Sequence, residues 1–161
     1  MIRTAKVGLI VVAALWGFVG ALGNILDWDQ ALGSVAAVTS MSTFEGGADS
    51  WQAMTSPLLS WLGALFIVSG KLATGVLCTI GARLMWRARG GDAANFALAK
   101  QHALTGCAVG AIMLFGGFLV IGESWFELWR TEGPIRLALT DAFRYAGLLM
   151  LIAIFVGQTD E

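Results

Sequence analysis

The chain has 161 residues, 57% of them hydrophobic and 13% charged, with a mean hydropathy of +0.75. Soluble domains run nearer half apolar and a quarter charged, so the composition belongs to the membrane class, and the length allows one domain. The formal net charge of −1 supplies no basic face for nucleic acid, and the two cysteines, Cys78 and Cys107, lie singly in apolar stretches, forming neither a zinc motif nor a disulfide framework.

A membrane span needs about 20 mostly apolar residues, and four such segments follow in chain order. The first covers about 7–26. Arg3 and Lys6 precede its apolar run, a pattern shared with leader peptides, but it reads as a first span. The segment 27–57 is an outer loop with Asp27, Asp29, Glu45 and Asp49 and no Lys or Arg. Its Leu32, Val35, Val38 and Met41 suggest a short interfacial helix, followed by a turn at Gly46-Gly47. The second span, about 58–86, is longer than a bilayer requires. The loop "RARGGDAANFALAKQ" is basic. The third span covers about 102–122, and the fourth about 135–157, with Pro134 at a helix start, where its missing N–H costs nothing. The expectation is an all-α integral membrane four-helix bundle, one transmembrane domain over 1–161. Basic residues at the N-terminus and in the middle loop place both termini in the cytoplasm.

The tryptophans agree with this plan. Trp28, Trp51, Trp61, Trp125 and Trp129 fall at the outer interface, where indole rings form a belt at headgroup level. Glycines at helical spacing, Gly17 in the first span and Gly106 and Gly110 in the third, let helix backbones approach closely in lipid. Packing within the bundle is the leading reading of these glycines, and a dimer seam the lesser one.

Charged side chains inside the spans are the sharpest functional signal. Lys71 stands in "FIVSGKLATGVLC", roughly 15 Å below Trp61 at a helical rise of about 1.5 Å per residue. A charge at the bilayer centre costs about 2.5–3.5 kcal/mol on insertion scales. Asp141 and Arg144 are three apart and share a helix face. A single polar cluster of Asn24, Asp27, Lys71, Glu123, Asp141 and Arg144 is therefore expected, with Lys71 in an ion pair. Such a cluster serves either as polar glue that sets helix register or as an ion relay or headgroup socket. Lys71 pairing with a carboxylate on another protein is a further reading.

No catalytic constellation is present: no Ser/His/Asp grouping, no HExxH, no P-loop and no dinucleotide fingerprint. One histidine, His102, does not supply the two axial ligands of a bis-His haem, and it reads as interfacial. Glu123 and Glu127 at i, i+4 have a metal-ligand spacing but lack a matching pair on another helix. No catalytic residue, metal site or cofactor is assigned, although a lipid or quinone would suit the outer cluster and the Trp belt.

The segments "NILDW" (24–28), "VTSMSTFEGG" (38–47), "GESWFELWRTEG" (122–133) and "DAFRYAGLLMLIAIF" (141–155) resemble a bacterial family of predicted small integral membrane proteins, a domain of unknown function. Its more specific elements are Glu123, Trp125, Phe126 and Trp129, and the run Ala142-Phe143-Arg144-Tyr145. The resemblance covers the whole chain. It implies four spans in a bacterial cytoplasmic membrane and marks Asn24, Asp27, Glu123 and Arg144 as part of the shared pattern, with no activity attached. The expected role is a non-catalytic accessory or assembly subunit of a larger membrane complex. The alternatives are a small oligomeric transporter or channel using the intramembrane charges, and a lipid- or quinone-binding protein. Expected partners are membrane lipids and either a larger complex or further copies of the chain.

Overall fold

A computed structural model describes residues 1–160. Helix α1 spans Ile2–Leu26, α2 spans Trp28–Thr39, α3 spans Pro57–Ala88 and α4 spans Ala93–Ala99. Helix α5 spans Gln101–Ile112 and continues in wider, π-helical turns over Met113–Trp125, and α6 spans Pro134–Gly157. Three of these starts have a local cause. Ser56 caps α3 by accepting from the Leu59 N–H at 3.5 Å, with Pro57 in the first turn. Asp92 caps α4 by accepting from the Asn95 N–H at 2.7 Å. Gly133, at φ +74°, turns the chain into Pro134, a left-handed backbone that glycine tolerates without steric cost.

Four stretches are long and apolar enough to cross a membrane: Ile2–Leu26, Pro57–Ala88, Ala93–Trp125 and Pro134–Gly157. The third begins well before the expected 102, because α4 and α5 run nearly head to tail through Lys100, which keeps helical dihedrals. The short helix expected between the first two spans is α2, and Gly46 takes the left-handed turn after it.

The bundle is assembled on small residues. A Cβ on Gly17 of α1 would lie 2.6 Å from the Lys71 carbonyl oxygen and 2.7 Å from the Gly75 nitrogen, both backbone atoms of α3. A Cβ on Gly106 of α5 would lie 2.7 Å from Cys78 Sγ, and one on Gly110 would lie 2.8 Å from Leu149 Cδ1 of α6 and 2.9 Å from Thr74 Oγ1 of α3. Helix α3 is thus central, with α1 on one side and α5 on the other, and α6 packs on α5. Gly17, Gly106 and Gly110 serve contacts within the chain. The core that they bring together includes Ile10, Cys78, Met85, Phe96, Cys107 and Val156, all without solvent exposure.

Outward-facing positions are apolar as well. Val12, Val19, Leu62, Ile112, Leu137, Leu151 and Ile154 are all more than half exposed. Such a surface is costly in water and suited to lipid, where the helices need satisfy only their own backbone groups.

Away from the termini, side chains tie the connecting segments together. Thr43 and Thr131 share a hydroxyl hydrogen bond of 2.6 Å, and Arg130 lies 4.4 Å over the Phe44 ring while pairing with Glu127 at 2.9 Å. Helix α2 lies against the start of α3, with the Trp28 and Trp61 rings 5.2 Å apart and tilted by 54°. Trp51 of the loop meets Trp125 edge-on at 5.4 Å. The Trp129 carbonyl accepts from Arg136 at 2.9 Å. The tryptophans expected as a belt therefore also act as struts between elements.

Candidate functional site

Lys71 lies near the middle of α3, roughly 21 Å along the axis from Pro57. Its stem runs along Gly20 of α1, where an added Cβ would come within 3.2 Å of Lys71 Cδ. The ammonium donates to the Gly20 carbonyl at 3.3 Å and to Asn24 Oδ1 at 3.2 Å. Gly20 is therefore a groove for the lysine stem, and Asn24 is its side-chain acceptor. The side chain leans toward the end of α1, as long basic side chains do when they reach for an interface.

The expected six-residue cluster does not form as a unit. Asn24 and Lys71 meet, but Arg144 bonds to Asp141 on its own helix at 2.7 Å, on an exposed face with side-chain exposures of 59% and 45%. Neither Asp27 nor Glu123 forms an ion pair among the described residues. Helix packing is the reason. α6 lies on α5 rather than on the α1–α3 seam, so Asp141 and Arg144 satisfy each other locally while Lys71 faces α1. The expected Lys71 ion pair is accordingly replaced by two neutral acceptors. Tyr145, next to Arg144, turns the other way and packs at 5.6 Å on Trp16, the one tryptophan inside the first span. His102 is exposed.

A second charged centre escaped the sequence reading. Lys6 of α1 and Lys100 between α4 and α5 are 1% and 3% exposed. Both converge on Asp160, three residues past α6: Lys6 Nζ lies 2.9 Å from Oδ1, and Lys100 Nζ pairs with Oδ2. Both ammoniums also donate to the Gln158 carbonyl, at 2.8 and 2.7 Å. The buried Phe96 ring lies beneath, 5.2 Å from Lys100 Nζ and 5.0 Å from the Arg3 guanidinium. Burial raises the Asp160 carboxyl, but the hydrogen bonds and charges of Lys100 and Lys6 outweigh it and hold it below the usual carboxylate range. The contact puts both termini on one face of the bundle. A signal was available: Asp160 is an acidic residue on a face otherwise rich in Arg and Lys.

A groove of about 590 Å³ opens between α2 and the start of α3, lined by Leu32, Ala36, Thr39, Met54, Ser60 and Trp61. No group of three or more His, Cys, Asp or Glu suited to a metal ion occurs among the described residues.

Four long apolar helices with lipid-suited outer faces define a small multi-pass integral membrane protein. Residues 2–159 match the model of a family described as predicted small integral membrane protein (DUF2165), and the chain belongs to that family. No curated protein and no solved structure matches the chain.

Proposed function

We propose that the protein is a non-catalytic subunit that assembles with a larger membrane complex, residing in a bacterial cytoplasmic membrane with both termini inside. The observation that carries this reading is Lys71. A lysine near mid-span holds only a backbone carbonyl and an amide oxygen, and no carboxylate of the described residues pairs with it. An ammonium so placed is costly in lipid, and a carboxylate on a neighbouring protein's span relieves that cost, which makes charge matching a strong assembly force. The exposed apolar flanks of α1 and α3 supply the surface for such a neighbour. The termini-side face holds Arg3, Lys6, Arg83, Arg87, Arg89 and Lys100, which favours a cytoplasmic placement.

The test is extraction from native membranes in mild detergent, followed by native-gel sizing and mass spectrometry of what co-purifies. A partner at fixed stoichiometry that is lost on Lys71→Leu supports the subunit reading. A lone monomer or homo-oligomer sinks it. Loss of ion flux in Lys71→Leu with assembly intact would make the lysine part of a transport path instead.

A second reading, a lipid or quinone binder, draws on the groove beside Trp61. It requires a lipid or quinone in organic extracts of the purified protein, and loss of that molecule on Trp61→Ala.

A further inference from the structure

Lys6, Lys100 and the segment 158–160 raise a question that the assembly reading does not touch. Among the described residues, two buried ammoniums face one carboxylate. Their acceptors among those residues are three oxygens: Asp160 Oδ1, Asp160 Oδ2 and the Gln158 carbonyl. Only the first two carry the negative charge.

We propose that this centre is a phosphate-binding site occupied by the chain's own tail, and that a terminal phosphate, the phosphomonoester headgroup of phosphatidic acid, displaces Asp160 from it. A phosphomonoester presents three acceptor oxygens in the same compass as the carboxylate and carbonyl together, and spreads its negative charge over them. It therefore matches two lysines better than a carboxylate and a neutral carbonyl do. The position suits a headgroup. Lys6 lies in the first turns of α1 and Lys100 at the α4–α5 junction, both at the end of the bundle where the spans begin. Arg3 shares the Phe96 ring with Lys100 on the same face and donates to the Arg89 and Gly91 carbonyls.

The tail is built to leave. Helix α6 ends at Gly157, Gln158 is extended, and Gln158 and Thr159 are both exposed. Among the described residues, every side-chain hydrogen bond of this segment runs to Lys6 or Lys100. Nothing else described anchors it, so exchange of one anion for another releases it whole.

The experiment follows the tail in the full chain with Asp160 intact. A spin label is attached through Thr159→Cys; Cys78 and Cys107 are buried and stay unlabelled in the folded protein. The chain is placed in nanodiscs of phosphatidylcholine alone, of phosphatidylcholine with phosphatidic acid, and of phosphatidylcholine with added inorganic phosphate. The expected result is an immobile label in phosphatidylcholine and a mobile fraction that rises several-fold with phosphatidic acid. Release by inorganic phosphate to the same extent would keep the phosphate site and assign it to a soluble ligand. A label that stays immobile in both, or a rise reproduced by sodium chloride at equal ionic strength, overturns the proposal. A label already mobile in phosphatidylcholine overturns the tail's occupancy of the site. The Lys6→Gln/Lys100→Gln double variant, checked for folding by protection of Cys78 and Cys107 from thiol reagents, is expected to give a mobile label independent of lipid. A response to phosphatidic acid that persists there also overturns it.

Discussion

Lys6, in the first turns of the first helix, and Asp160, beyond the end of the last, close a 2.9 Å ion pair across 154 positions of the chain. The pair joins the two ends of the bundle, and Lys100 completes it from the middle of the sequence. Replacing the carboxylate with an amide leaves two buried ammoniums with only neutral acceptors among the described residues. Asp160→Asn is expected to destabilise the protein by about 3–5 kcal/mol, the usual cost of breaking a buried charge set from one side, read as a lowered thermal midpoint in detergent. An unchanged midpoint would mean that the charges are solvated in the folded state.

The same centre sets a pH response. The Asp160 carboxyl lies below its ordinary range in the folded protein, so its contribution is fully present above the unfolded pKa of about 3.9 and is lost as pH falls through the folded value. Stability is therefore expected to be flat through neutral pH as far as this group is concerned and to decline only under strongly acid conditions. Thermal melts as a function of pH check this, and the acid-side decline attributable to Asp160 should vanish in Asp160→Asn.

The seam between α1 and α3 depends on the absence of a side chain at one position. Gly17→Ala places a methyl against the backbone of Lys71 and Gly75, and neither can move without bending α3. A loss of about 1–3 kcal/mol is expected, as for other overpacked cores. Gly8→Ala and Gly23→Ala, on the same helix with open space around them, are expected to be neutral or slightly stabilising. Equal effects at all three sites would remove the close approach as the explanation.

Asn24 and Lys71 form a measurable couple. Asn24→Leu takes away the side-chain acceptor of the ammonium and leaves it the Gly20 carbonyl alone. The single variant is expected to cost about 1–2 kcal/mol, within the range for hydrogen bonds in lipid. In a Lys71→Leu background the same change should cost much less. A double-mutant cycle in detergent reads the coupling, and strictly additive costs would dissolve the pair.

Trp28 and Trp61 hold α2 against α3. Trp61→Ala is expected to weaken that docking by about 0.5–1.5 kcal/mol beyond the lost area. Hydrogen exchange over residues 28–39 should accelerate while that of α5 and α6 stays as it was. Uniform acceleration across the bundle would instead make Trp61 part of the global core.

The number of spans, the even topology and the short helix between the first two spans were legible in the sequence, because each rests on composition or period within one segment. Lipid demands a run of apolar residues of fixed length. Single charged residues were legible by type as well. Lys71 stood out because a charge in such a run is rare and costly.

What the tertiary structure decided is which of these residues meet. The sequence placed Lys71, Asp141 and Arg144 at similar depths, but depth is only one coordinate. The azimuth of each helix, and the choice of α5 rather than α3 as the neighbour of α6, sent Arg144 to Asp141 and Lys71 to Asn24. The Lys6–Asp160–Lys100 centre is a product of the tertiary structure for the same reason. Its three charges come from the first helix, a junction and the tail, and no periodicity links them. Local sequence determines which segments enter the membrane because that free energy is summed along one helix. Helix order and rotation follow from where glycines let two backbones touch, and that depends on both partners at once.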